Sequence, residues 1–113
     1  LDEITLTTET KVTELKDGLI RSYHIKPEDY GFARCAPEAL RGGDPDLNAD
    51  IITGVLSGKK GPARDVVILN SAAAIVAGAA AGSIEEGIAL ARGSIDSGAA
   101  ASKLEQIKRI TNR

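Results

Sequence analysis

Pro62-Ala63-Arg64-Asp65-Val66-Val67-Ile68-Leu69-Asn70-Ser71-Ala72-Ala73-Ala74-Ile75-Val76-Ala77-Gly78-Ala79-Ala80 is the stretch around which the rest of the chain organises. Proline suits a first helical position, and the residues that follow are apolar on nearly every side. A helix of that kind belongs at the centre of a fold. The sequence therefore predicts a central helix over 62–80, with Val67, Leu69 and Ile75 among the most buried residues. Asn70, Ser71 and Gly78 interrupt the apolar run, which falls short of the ~20 apolar residues a membrane-spanning helix needs.

Working outward, the flanking segments read as helices with one apolar face each. Asp44 is a helix-capping candidate with Pro45 behind it. Leu47, Ile51 and Val55 recur every four residues, which predicts a helix over 45–57. Ser83-Ile84-Glu85-Glu86 has the form of a capping box: Ser83 accepts from the Glu86 N–H and Glu86 reaches back. Ile84, Ile88, Ala91 and Ile95 then share a face, predicting a helix over 84–97 that Ser97-Gly98 breaks. A last helix over 99–111 carries Leu104, Ile107 and Ile110 inward, with Lys103, Lys108 and Arg109 outward.

Residues 4–25 are dense in Thr, Val and Ile, which favours strands. Lys16-Asp17-Gly18-Leu19 is a two-residue hairpin signal, because Asp-Gly supplies the positive φ angles of a type I′ turn. Strands are expected over 4–8, 11–16 and 19–25. Pro27-Glu28-Asp29-Tyr30-Gly31 is a turn or a single helical turn, and a connector runs from Phe32 to Gly43.

The chain has 113 residues, of which 42% are hydrophobic and 3% aromatic. That is one domain or part of one, with an aliphatic, Ala-rich core. A net charge of −2, with Lys and Arg spread along the chain, argues against a nucleic-acid or anionic-membrane surface. Cys35 is the single cysteine; no intrachain disulfide can form, which fits a reducing, cytoplasmic setting. The opening residues lack the pattern of a signal peptide, and none is expected.

Few residues could carry chemistry. Asp2 and Glu3 are adjacent acids, and on a regular strand they would point to opposite faces. Placed in a bend they could offer two hard oxygen ligands of the type Mg²⁺ takes; the alternative is a solvated terminus. Gly42-Gly43-Asp44 could cradle phosphate at a helix start, or serve only turn geometry and capping. His24 lacks a second His or Cys partner, Cys35 lacks an oriented base, and Ser57-Gly58-Lys59-Lys60-Gly61 lacks the spacing of a phosphate-binding P-loop.

Five motifs taken in order decide between these readings. They are Leu1-Asp2-Glu3-Ile4-Thr5-Leu6, Arg41-Gly42-Gly43-Asp44-Pro45-Asp46-Leu47-Asn48-Ala49, Val67-Ile68-Leu69-Asn70-Ser71-Ala72-Ala73, Ser83-Ile84-Glu85-Glu86-Gly87 and Ile95-Asp96-Ser97-Gly98. In this order the chain resembles the C-terminal third of the anthranilate phosphoribosyltransferase family, over essentially its whole length. The resemblance implies an α/β fold: residues 1–113 as the C-terminal portion of a nucleoside phosphorylase/phosphoribosyltransferase-type catalytic domain, a hairpin and strand region followed by four helices. It implies transfer of phosphoribosyl from phosphoribosyl pyrophosphate to anthranilate, in tryptophan biosynthesis. It implies that Asp2 and Glu3 bind a Mg²⁺ that engages the substrate's pyrophosphate.

The family's Gly-rich pyrophosphate loop, ribose phosphate segment and anthranilate-contacting Arg would precede this sequence. So would the helical domain that makes the family's homodimer contact. The chain is thus expected to be a piece that is inactive alone, with the upstream part of the same protein as its partner. No catalytic or substrate-binding residue is assigned within it. By the same resemblance Gly42 and Gly43 serve backbone geometry, Asp44 caps, and Asn70 and Ser71 are polar groups satisfied by a neighbouring loop. Two other readings stand beside this one: a non-catalytic binding or regulatory module of the same fold, and a related nucleoside phosphorylase-type protein. The acidic pair and the Asp-Pro helix segment favour the transferase.

Overall fold

Asp17 and Gly18 take φ of 52° and 76°, the left-handed pair that lets two right-twisted strands turn back on each other. They join β1 (Thr10–Lys16) to β2 (Leu19–Ile25), paired antiparallel from Thr10 opposite Ile25 to Lys16 opposite Leu19. Thr13 and Ser22 share a cross-strand hydroxyl contact of 3.1 Å. The computed structural model describes residues 3–112. After the hairpin come two short 3-10 turns, Pro27–Tyr30 and Pro37–Leu40, and then α1 (Pro45–Leu56), α2 (Pro62–Ala77), α3 (Ile84–Asp96) and α4 (Ala99–Thr111).

The expected strand over 4–8 is not formed. The two-stranded sheet contains only β1 and β2, and the backbone of this segment is held by other groups, as described below. A strand needs a neighbour's ladder of hydrogen bonds, and no described element lies alongside to supply one.

The end of α2 also differs. The helix stops at Ala77, three residues short of the expected 80. The Ala79 N–H donates to the Val76 carbonyl and the Ala80 N–H to the Ile75 carbonyl, the paired bonds of a Schellman stop. Ala79 takes the left-handed conformation this requires, with φ of 59°. At the end of α1 the same two bonds form, and a glycine, Gly58, holds the left-handed position.

The core gathers Ile68, Leu69 and Ala72 of α2, Ile88, Ala91 and Ile95 of α3, Val55 of α1, and Leu6 and Phe32 from the loops. It is aliphatic with one aromatic. The central helix is covered on one stripe only. Arg64, Ile68, Leu69 and Ala72 are buried, whereas Val67 is 40% exposed and Ile75 is half-buried. An apolar helix surface carries no directional signal, so sequence could not tell which side would be packed. The Val67 side faces an apolar groove shared with Ile51, Ile52 and Leu56 of α1. The opposite side, through Ala73 and Val76, faces a larger cleft under the hairpin. On α4, Ala100 packs against the core, while Ile107 and Ile110 are exposed. Of the stripe expected to point inward, only Leu104 is half-buried.

Candidate functional site

The segment after the acidic pair is anchored residue by residue. Ile4 donates its N–H to Asn70 Oδ1 at 3.0 Å and accepts at its carbonyl from Asn70 Nδ2 at 2.8 Å. Asn70 Nδ2 also donates to the Val66 carbonyl, one turn back in α2, at 3.0 Å. The Thr5 N–H donates to Thr10 Oγ1 at 3.3 Å, and the Thr7 N–H donates to Thr5 Oγ1 at 3.1 Å. The Leu6 carbonyl accepts from the Cys35 N–H at 3.2 Å, and the Leu6 side chain is fully buried. Each such bond is worth about 1 kcal/mol net. Their joint effect is to fix a run of backbone that belongs to no strand.

Glu3 sits at the head of this run, in a bend, with its side chain exposed. Asp2 lies outside the described residues. A solvent-facing carboxylate on a fixed backbone is a hard oxygen donor, the chemistry Mg²⁺ takes. Among the described residues no group of three or more His, Cys, Asp or Glu could hold a metal, so further ligands would have to come from Asp2, water or a bound phosphate. Ile4 opens onto the cleft of about 800 Å³ beneath the hairpin, which Val12, Tyr23, Ile25, Ala73 and Val76 also line. Burial, and after it the charge of Glu14, raises the Tyr23 phenol above its ordinary value.

The other sequence candidates resolve into structure. Asp44 Oδ1 accepts from the Leu47 N–H at 2.8 Å and caps α1. Asn48 Oδ1 accepts from the Gly43 N–H at 2.9 Å while Asn48 Nδ2 donates to the Gly43 carbonyl at 3.0 Å. The Gly43 N–H is therefore engaged and not free for a phosphate. Ser83 Oγ accepts from the Glu86 N–H at 3.2 Å, but Glu86 reaches past the cap to the Gly82 N–H at 2.8 Å. His24 and Lys59–Lys60 are exposed, and Cys35 is half-buried with a free thiol.

Sequence reasoning missed Arg64. Its side chain is only 3% exposed, and Nη1 lies 2.9 Å from Asp96 Oδ1. Nη1 has no partner at a good hydrogen-bonding angle. We read the contact as a close ion pair, because distance sets the attraction and the angle only grades the hydrogen bond. The Arg64 guanidinium holds the Asp96 carboxyl below its ordinary value, through its short side-chain contact first and its charge second. The signal was an Arg inside an apolar helical run, a residue rarely buried without a partner.

A family model described as "Glycosyl transferase family, a/b domain" matches residues 1–101. The anthranilate phosphoribosyltransferase of Geotalea daltonii is 50% identical over 112 residues, 99% of this chain and 32% of that protein. That of Acetivibrio thermocellus matches to the same extent, with 50% identity. The crystal structure of anthranilate phosphoribosyltransferase from Thermus thermophilus superposes with a TM-score of 0.84 at 39% identity, over 94% of this chain and 31% of that one. The Saccharomyces cerevisiae enzyme, in a structure described as a complex with PRPP and Mg, gives 0.82 at 28% identity, over 93% of this chain and 30% of that one. The chain spans about a third of the length of the curated relatives it matches. No helix among the described residues is long and apolar enough to cross a membrane.

Proposed function

Because the chain belongs to the glycosyl transferase family, a/b domain, we propose that it is part of an enzyme moving 5-phosphoribosyl from phosphoribosyl pyrophosphate to anthranilate. The products are phosphoribosyl-anthranilate and pyrophosphate, in tryptophan biosynthesis. The observation that carries this is identity of half the residues over 99% of the chain with anthranilate phosphoribosyltransferases. The substrates, and the homodimeric assembly proposed with them, belong to a protein of the relatives' full length, of which this chain spans about a third. A cytoplasmic setting fits the free thiol of Cys35.

Within that reading Asp2 and Glu3 hold Mg²⁺, with water and phosphate oxygens filling the other octahedral positions. When bound, the ion supplies positive charge against the departing pyrophosphate. Residues of this chain do the holding. Glu3 presents its carboxylate from backbone that Asn70, Thr10 and Cys35 fix, so little reorganisation accompanies binding. Fixed charge placed before reaction is where such sites gain most of their effect.

The test uses the longer protein that contains this segment, with Asp2→Asn and Glu3→Gln together. Anthranilate consumption in the presence of phosphoribosyl pyrophosphate should fall on the order of 100-fold or more. The Mg²⁺ dependence should shift, and the melting temperature should barely move, because the Glu3 side chain is exposed and the amides are isosteric with the acids they replace. Normal turnover at limiting Mg²⁺ would overturn the metal assignment. Absence of anthranilate-dependent turnover in the unmutated protein would overturn the activity.

A further inference from the structure

We propose that Asn70 is a positioning residue for the metal ligand Glu3, a deepening that rests on the reading of Asp2 and Glu3 just given. Asn70 lies 66 positions from Ile4 in sequence, in the middle of α2, and its carboxamide engages both backbone groups of that residue, the one directly after Glu3. The Ile4 N–H belongs to the Glu3–Ile4 peptide, which is planar and carries the Glu3 Cα in its plane. Holding that N–H on Oδ1 sets the orientation of the plane. Holding the Ile4 carbonyl on Nδ2 sets the next plane as well. Together they fix the position of the Glu3 Cα and the Cα–C axis about which its side chain can turn.

The amide has one workable orientation. Turned over, its NH₂ would face the Ile4 N–H and its oxygen would face the carbonyls of Ile4 and Val66, like against like. The Val66 bond in turn holds the side chain against its own helix, so α2 acts as the rigid support. What an adjacent strand would do for a ligand loop, a single side chain does here. A polar residue placed only to satisfy itself in an apolar helix would need no such match to both backbone groups of one distant residue. Supports behind a metal ligand typically change metal affinity about 10–100-fold when removed.

The experiment uses the full-length protein bearing this segment, with Mn²⁺ as the probe. Mn²⁺ is titrated by electron paramagnetic resonance with phosphoribosyl pyrophosphate present, and melting temperature is recorded in parallel. Asn70→Ala should weaken Mn²⁺ binding about 10–100-fold and raise the Mg²⁺ needed for half-maximal turnover by a similar factor. In a Glu3→Gln background the same change should add nothing further to the loss of Mn²⁺ affinity. Should the alanine variant not fold, Asn70→Ser takes its place. A serine hydroxyl can bond back to the i−4 carbonyl, here Val66, and so frees Ile4 while keeping α2 satisfied. A folded Asn70 variant with lowered melting temperature but unchanged Mn²⁺ affinity would overturn the proposal, even as Glu3→Gln weakened binding and upheld the metal site. Unchanged affinity in Glu3→Gln itself would overturn the metal site and the proposal with it.

Discussion

Gly87 of α3 crosses α2 so closely at Ala72 that a Cβ on Gly87 would stand 2.7 Å from the Ala72 carbonyl oxygen and 3.0 Å from its Cα. Both helices are core elements there, with Ala72 and Gly87 buried. The neighbour is backbone and cannot swing away, so any side chain at Gly87 must push α3 from α2.

Gly87→Ala should therefore destabilise the protein by about 1–3 kcal/mol, the usual cost of overpacking, despite the gain in helix propensity. Gly93, on the same helix, has nothing within 4 Å of its Cβ position. Gly93→Ala should stabilise by about 0.5–1 kcal/mol through propensity alone. Urea unfolding of the two variants reads both signs, and equal effects would show that the α2–α3 crossing is looser than described.

Ala79 sits at φ 59° where α1 uses Gly58 in the corresponding stop. A left-handed alanine costs about 1 kcal/mol or more, and glycine relieves it. Ala79→Gly should raise stability by up to about 1 kcal/mol, less the extra freedom glycine has when unfolded. Thermal or urea unfolding that showed a loss would mean the Schellman stop is not kept in solution.

The Arg64–Asp96 pair carries a pH signature. Asp96 is the group whose folded value is depressed, so its contribution is fully present above the ordinary aspartate value of about 3.9. It is lost as pH falls through the lower folded value. The stability gap between the unmutated protein and Asp96→Asn should be flat from neutral pH down to about 4 and close below it. Arg64→Met should remove that closing. A gap that shrank on the alkaline side would contradict the ion pair.

A polypeptide consisting of residues 1–113 by itself should show no anthranilate-dependent turnover. Of its residues only Asp2 and Glu3, with Asn70 behind Glu3, are proposed to take part, and catalysis of this kind depends on holding both substrates in register. Measurable turnover by the pure polypeptide would place the whole site within these residues.

Where signals were local, sequence was enough. Asp17-Gly18 needs only its own φ preferences to turn, and Asp44-Pro45 needs only the first turn of α1 to cap. The starts of α1 and α3 at Pro45 and Ile84 were legible for that reason. The metal role proposed for the acidic pair comes from the resemblance; by its own spacing the pair reads as a solvated end.

What sequence could not decide was which distant groups would meet. Residues 4–8 have strand composition, yet whether they form a strand depends on a neighbour, and here Asn70 takes that place from a helix. Asn70 was expected to be satisfied by a neighbouring loop and it is, but only the structure names the partner as Ile4, 66 residues away. Val67 and Leu69 are alike in hydropathy, and packing alone leaves one at 40% exposed and the other at 1%. Local conformational preference is written within a few residues, so the turn, the caps and the helical periods were determined by the sequence itself. Burial, the close crossing at Gly87 and the hold of Asn70 on Ile4 arise from surfaces brought together over long separations, and those the tertiary structure alone decided.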